Sequence, residues 1–116
     1  MKRDMDLCRK ILFTIEESDE LVIYCLEIEG YSLTQTSYHC KLLYEAGLVS
    51  DYDSRSYDDE ISEFGVGQLT WEGHDYLEKI RDDTRWNKIK AYITEKALPF
   101  TIDIVKDILP AIISIL

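Results

Sequence analysis

The chain has 116 residues and a formal net charge of −10, from 13 basic and 23 acidic side chains. A chain of this length folds most simply as one domain with a single modest core. Its composition of 46% hydrophobic and 31% charged residues excludes a disordered protein. The negative charge disfavours a histone-like coat for nucleic acid, although it leaves room for a local basic patch.

The three cysteines, Cys8, Cys25 and Cys40, form no C-x-x-C pair, and no continuous apolar signal segment precedes them. We therefore expect buried free thiols in a cytoplasmic protein. The apolar run from Ile108 to Leu116 is much shorter than the roughly 20 residues that a membrane-spanning helix requires. No membrane partner is expected.

Hydrophobic periodicity predicts a first helix over residues 4–18, followed by a β-strand over residues 20–27. Ser32-Leu-Thr-Gln35 matches a capping box, which predicts the start of a second helix. That helix is expected to reach Ala46, with Gly47 as its left-handed C-cap.

Two further strands are predicted over residues 48–52 and 66–71, joined by a polar loop over residues 53–65. Thr70 is expected to cap a helix over residues 71–83, and a stripe at Trp86, Ile89 and Ile93 predicts another helix ending before Pro99. Residues 98–116 then form an amphipathic helix, disturbed at Pro110, that either closes the core or mediates a homodimer. The predicted fold class is α+β, a winged helix-turn-helix-like domain over residues 1–97 with additional C-terminal helices.

Several short motifs carry a resemblance to known proteins. They are Met1-Lys-Arg-Asp-Met-Asp-Leu7, Glu29-Gly-Tyr-Ser32, Tyr38-His39, Glu45-Ala-Gly-Leu48, Leu69-Thr-Trp-Glu-Gly-His-Asp-Tyr-Leu77 and Arg81-Asp-Asp-Thr-Arg-Trp86. Together they resemble a family of short proteins from Gram-positive bacteria and their prophages that is described as a domain of unknown function. That resemblance implies a winged-helix-like fold and supplies no catalytic residues. The segment from Leu43 to Val49 also resembles winged-helix regulators of the MarR and PadR type, in which such a helix precedes the wing.

The leading functional hypothesis is a small DNA-binding or transcription-regulating module that uses the helix from Ser32 to Ala46. Its polar side chains would reach base edges while cations neutralise phosphates. On a helical wheel, Thr36, Cys40 and Leu43 share one face, and the residues roughly opposite are Thr34, Ser37, Tyr38, Lys41 and Glu45. The residues expected to contact DNA are Thr34, Gln35, Ser37, Tyr38 and Lys41, joined by Arg55 in the predicted wing.

The alternative is a non-enzymatic protein-interaction module on the same scaffold, with a basic protein as partner. Residues 51–70 contain six acidic side chains and only one basic side chain, so the predicted wing repels phosphates. The acidic segment lacks the central glycine of a calcium-binding EF-hand loop. Neighbouring His74 and Asp75 diverge by about 100° on a helix and cannot form a relay. We therefore expect no enzyme activity, no metal and no cofactor.

Overall fold

The structure is a computed structural model that describes residues 1–114. Over this range it has an α+β architecture with five helices and one three-stranded antiparallel sheet. The elements in chain order are α1 (Met5–Glu17), β1 (Ile23–Tyr24), α2 (Leu33–Glu45), β2 (Tyr52–Tyr57), β3 (Glu60–Val66), α3 (Trp71–Ile80), α4 (Asp83–Lys96) and α5 (Ile102–Ser114). The chain divides into two compact units, Met1–Asp75 and a second that begins at Tyr76. The order of elements in the first unit is compatible with a winged-helix-like fold.

Helix α1 forms where the apolar repeat predicts it. Asp4 is its N-cap, and the Asp4 carboxylate accepts a hydrogen bond from the backbone N–H of Leu7 at 3.0 Å. The buried stripe along its inner face comprises Met5, Leu7, Cys8, Ile11, Leu12 and Ile15. This stripe anchors the core of the first unit, in which α1 packs against α2.

The predicted boundaries of α2 are also confirmed. The Ser32 hydroxyl accepts from the Gln35 N–H at 3.1 Å, while the Gln35 side-chain oxygen accepts from the Ser32 N–H at 2.9 Å. These reciprocal bonds satisfy two backbone donors that the first helical turn cannot pair. At the other end Gly47 takes a φ of +78°, a conformation that glycine adopts without steric cost.

The predicted strands at residues 48–52 and 66–71, with a loop over residues 53–65, are wrong. That supposed loop contains most of a β-hairpin, in which β2 and β3 are joined by the two-residue turn Asp58-Asp59. The turn residues have φ angles of +50° and +65°, as a type I′ hairpin turn requires. Apolar alternation does not mark β2 because five of its six residues are exposed. Of the predicted pairing, an isolated bridge between Val49 and Leu69 remains.

The sheet has the strand order β1-β3-β2, which places β2 at an edge. Strand β1 is only two residues long, so the predicted strand over residues 20–27 is also wrong in length. Cys25 follows it with a positive φ of +51°, which ends the extended conformation. On β3, Phe64 and Val66 point into the core, and Gly65 between them belongs to the opposite, outer face.

A helix-turn-helix needs another helix shortly before α2. Residues 18–32, all described, contain β1 and a turn closed by the Tyr31 N–H to the Ile28 carbonyl at 3.2 Å, but no helix. The chain between α1 and α2 is too short for both a strand and a full helix. The first unit therefore lacks the first helix of that motif.

In the second unit, α3 ends at Ile80 instead of residue 83, since Asp82 starts a new helix. The Asp82 carboxylate accepts from the Arg85 N–H at 2.8 Å and caps α4. Helix α4 buries Trp86, Ile89 and Ile93 as predicted, and ends at Ala97 in a left-handed conformation.

Helix α5 packs against α4. The ring centroids of Trp86, on α4, and Phe100, just before α5, lie 5.4 Å apart. Its buried residues are Val105, Ile108, Leu109 and Ile112, and the helix continues through Pro110 to Ser114. The predicted contribution of Leu116 to this stripe lies outside the described residues, and dimerisation through the helix stays a prediction. Over residues 1–114, no helix has the length and apolar character needed to cross a membrane.

Candidate functional surface

Three of the resemblance-bearing motifs meet where α1 joins α2. The backbone N–H of Asp4 donates to Nε2 of His39 at 2.8 Å, and the Tyr31 hydroxyl donates to the Asp4 carboxylate at 3.4 Å. Partial burial and then the Asp4 carboxylate raise the pKa of Tyr31 above its usual value. These motifs therefore hold two helices together.

His39 has both ring nitrogens occupied and is only 1% exposed. Nε2 accepts from Asp4, so Nδ1 carries the proton and donates to the Gln35 carbonyl at 2.7 Å. This arrangement requires the neutral ring in one tautomer. His39 is consequently a structural histidine of the α1–α2 interface.

Two further motifs meet at the start of α3. The Thr70 hydroxyl donates to the Gly47 carbonyl at 2.6 Å and accepts from the Gly73 N–H at 3.0 Å, which confirms Thr70 as a helix cap. Gly73 is packed directly against the carbonyl oxygen of Leu48, and a Cβ atom would collide with it. The Glu-Ala-Gly-Leu and Leu-Thr-x-x-Gly motifs therefore form one interlocked turn.

The candidate DNA-contacting residues of α2 do not form one exposed face. Ser37 is completely buried, and its hydroxyl shares a 2.6 Å hydrogen bond with the Tyr52 hydroxyl. The prediction that Ser37 faces away from the core is thus wrong. Helical periodicity describes one helix alone, and the partner of Ser37 belongs to a different element of the fold. Thr36, Cys40 and Leu43 are buried as predicted, and His39 joins them.

The other candidates differ in how available they are. Thr34 and Tyr38 are half-buried, and Gln35 is exposed but engaged in the capping box. Lys41 is exposed and is the one lysine or arginine within α2. Arg55 lies apart from these residues on the hairpin. The structure thus leaves Lys41 as the accessible cation of this helix.

The hairpin formed by β2, its turn and β3, together with Asp51, is named the acidic hairpin. It carries six exposed carboxylates, at Asp51, Asp53, Asp58, Asp59, Glu60 and Glu63. Its single cation, Arg55, lies 3.4 Å from the Glu63 carboxylate, with both side chains largely exposed. Such a surface pair contributes little stability, but it compensates one charge and leaves the remaining carboxylates facing water.

The outer face of the sheet contains an open groove of about 390 Å³. Register places Tyr24, Gly65 and Asp53 side by side across the three strands, and Arg55 opposite Glu63. Sequence reasoning missed Tyr24 and Asp53 as neighbours, since only the strand pairing brings them together. The acidic hairpin forms one part of the groove, and Val22, Tyr24 and Cys25 form the rest.

Two aspartate side chains accept hydrogen bonds from backbone N–H groups at the free edge of β2. Asp51 bonds inward through its carbonyl, which accepts from the Gly67 N–H at 2.9 Å. In an antiparallel pair, the backbone N–H and C=O groups of alternate residues point toward the partner strand. The N–H groups of Tyr52 and Ser54 therefore point away from β3, toward the free edge. The carboxylates of Asp51 and Asp53 accept from these two N–H groups, each at 2.9 Å.

The thiols are not part of this surface, apart from half-buried Cys25 at the groove wall. Cys8 and Cys40 are buried in α1 and α2. Burial is the main cause that raises the pKa of each thiol from 9.0 to about 12, with the Asp4 charge adding to it for Cys8 and the Cys8 charge for Cys40. Both thiols are therefore protonated at neutral pH.

The fold and the surface define an α+β protein with an acidic hairpin. A family model described as "Hypothetical protein (DUF2513)" matches residues 2–99, and the chain belongs to this family. The chain is also 40% identical over 118 residues to a Haemophilus influenzae protein named "Uncharacterized protein", covering 98% of this chain and 97% of the relative. No solved structure matches the chain. The resemblance to a domain-of-unknown-function family is confirmed, whereas the Gram-positive or prophage origin stays a prediction.

Proposed function

We propose that the first unit is a winged-helix-like, non-enzymatic interaction module whose acidic hairpin docks onto a basic surface of another protein. One observation carries the proposal: six exposed carboxylates share the hairpin with a single guanidinium, which is already paired with Glu63. The element order supports the scaffold, since α2 is followed directly by a two-stranded antiparallel hairpin. Cytoplasmic location is part of this proposal.

Electrostatics favour a cationic partner over a polyanion. Duplex DNA presents closely spaced phosphates, and binding them requires cations that release condensed counterions. A hairpin with a net charge of −5 lacks those cations but attracts Lys- or Arg-rich protein surfaces from a distance. Because the charges are exposed, this attraction weakens steeply as ionic strength rises.

DNA binding through α2 is the second candidate, and one observation favours it. The hydrogen bond from Asp4 to His39 brings the N-terminus of α1 alongside α2, and the preceding Lys2 and Arg3 are exposed. These cations, together with Lys41, could neutralise phosphates beside the helix. In this case the acidic hairpin would have to lie away from the duplex.

The deciding experiment measures binding of two labelled probes, a nine-arginine peptide and a random duplex, at low and at physiological salt. We expect the peptide to bind, with affinity that falls as salt increases, and the duplex not to bind. Neutralising the hairpin tip with Asp58→Asn, Asp59→Asn and Glu60→Gln should weaken peptide binding.

The matched control makes the same charge change elsewhere, with Asp75→Asn, Glu95→Gln and Asp107→Asn, all exposed residues. If both triple variants lose affinity equally, net charge alone explains the binding and the hairpin proposal fails. Duplex binding that Lys41→Glu weakens would instead support the second candidate.

A further inference from the structure

The groove on the outer face of the sheet combines an aromatic ring with carboxylates. Tyr24 is 76% exposed, yet its position is fixed by the sheet. A Cβ atom on Gly65 would lie 3.3 Å from one Tyr24 ring carbon and 3.4 Å from another, so the ring covers the glycine of the neighbouring strand. An aromatic residue opposite a glycine is a stable cross-strand pairing. The ring is thus a preformed platform.

Carboxylates lie on the same face as this platform. Asp53 pairs with Gly65 in register, and Asp51 and Glu63 also line the groove. The edge amides use Oδ1 of Asp51 and of Asp53, and each carboxylate has a second oxygen that can accept hydrogen bonds. Arg55 is held by Glu63, which leaves the two aspartates as the acceptors for an incoming group.

We propose that this groove receives an arginine side chain of the basic partner, with the guanidinium stacked on the Tyr24 ring and paired with Asp53 and Asp51. This inference rests on the proposed docking function and names its anchor. Charge complementarity selects this occupant, since three carboxylates and one paired guanidinium line the groove. A planar guanidinium stacks on aromatic rings and bonds two carboxylate oxygens at once, which a lysine ammonium does less well.

Tyr57 supplies a matched control for the aromatic ring. Tyr57 lies on β2 of the same sheet and is also 76% exposed, but it does not line the groove. We expect Tyr24→Ala to weaken binding of the nine-arginine peptide about two- to fivefold, the range for an exposed cation–π contact. Tyr57→Ala should leave the affinity unchanged, and Tyr24→Phe should preserve it because the ring remains. Equal effects of Tyr24→Ala and Tyr57→Ala, or no effect of either, overturn the inference.

A second pair of variants tests the groove without removing the ring. Asp53→Asn keeps an acceptor for the Ser54 amide but removes the charge, so it serves even if Tyr24→Ala does not fold. It should weaken peptide binding more than Asp59→Asn, an equal charge change at the turn. Equal losses overturn the groove but leave hairpin docking standing, whereas a peptide that does not bind the wild-type protein overturns both.

Discussion

The two buried thiols make the stability of the protein sensitive to alkaline pH. Burial in the core raises the pKa of Cys8 and of Cys40 from 9.0 to about 12. Above pH 9 the unfolded chain releases these protons while the folded chain retains them. The folded state then binds more protons, so the free energy of unfolding falls as pH rises between 9 and 12.

The size of this effect follows from the same pKa change. A thiol whose pKa moves from 9.0 to about 12 contributes roughly 4 kcal/mol, all of it present below pH 9. Within the window each thiol lowers the free energy of unfolding by about 1.4 kcal/mol per pH unit. Since the Cys8 charge adds to the shift at Cys40, the two thiols titrate as a coupled pair.

Urea unfolding at pH 7, 9 and 10.5 measures the effect, with wild type compared against the Cys8→Ala/Cys40→Ala variant. The variant loses some stability at pH 7 through lost packing, but its free energy of unfolding should fall less steeply above pH 9. Cys25→Ala, which replaces the half-buried thiol, serves as a control for the loss of a cysteine outside the buried pair. Identical pH slopes for wild type and the double variant would refute the reasoning.

Three further substitutions test the scaffold. His39→Ala leaves the Asp4 N–H without its buried acceptor and should lower the free energy of unfolding by about 2–4 kcal/mol in chemical denaturation. Gly73→Ala forces a methyl group against the Leu48 carbonyl and should cost at least about 1–3 kcal/mol, seen as a lower midpoint of thermal unfolding. Asp59→Gly relieves a φ of +65° and should protect hairpin amides from hydrogen exchange by about 1 kcal/mol, and unchanged exchange would contradict the turn conformation.

The helices could be predicted because their signals are local. The capping box at Ser32, the left-handed Gly47 and the apolar stripes all act within one or two helical turns. Strand β1 was overestimated because its β-forming residues continue past the point where Cys25 turns the backbone. Propensity alone does not report that turn.

The hairpin could not be predicted, because its strands are polar and its stabilisation is non-local. Strand β2 is held in the sheet by its pairing with β3, while its side chains remain mostly exposed to water. An Asp-Asp turn also lacks the glycine that usually identifies a type I′ turn. The candidate site could not be predicted for the same reason. The burial of Ser37 depends on its contact with Tyr52, and the groove depends on the register of Tyr24 with Gly65.

The two aspartates that accept hydrogen bonds from the free edge of β2 have a consequence for self-association. Unpaired edge strands act as templates on which other chains add strands, and from which fibrils can grow. Here a new strand would have to displace the carboxylates of Asp51 and Asp53 from the Tyr52 and Ser54 amides. A second copy of the chain would also bring equal negative charge to the same edge. The two aspartates thus oppose the addition of a strand at this edge, next to the register shift between Arg55 and Ser56 that interrupts the regular pairing of β2 with β3.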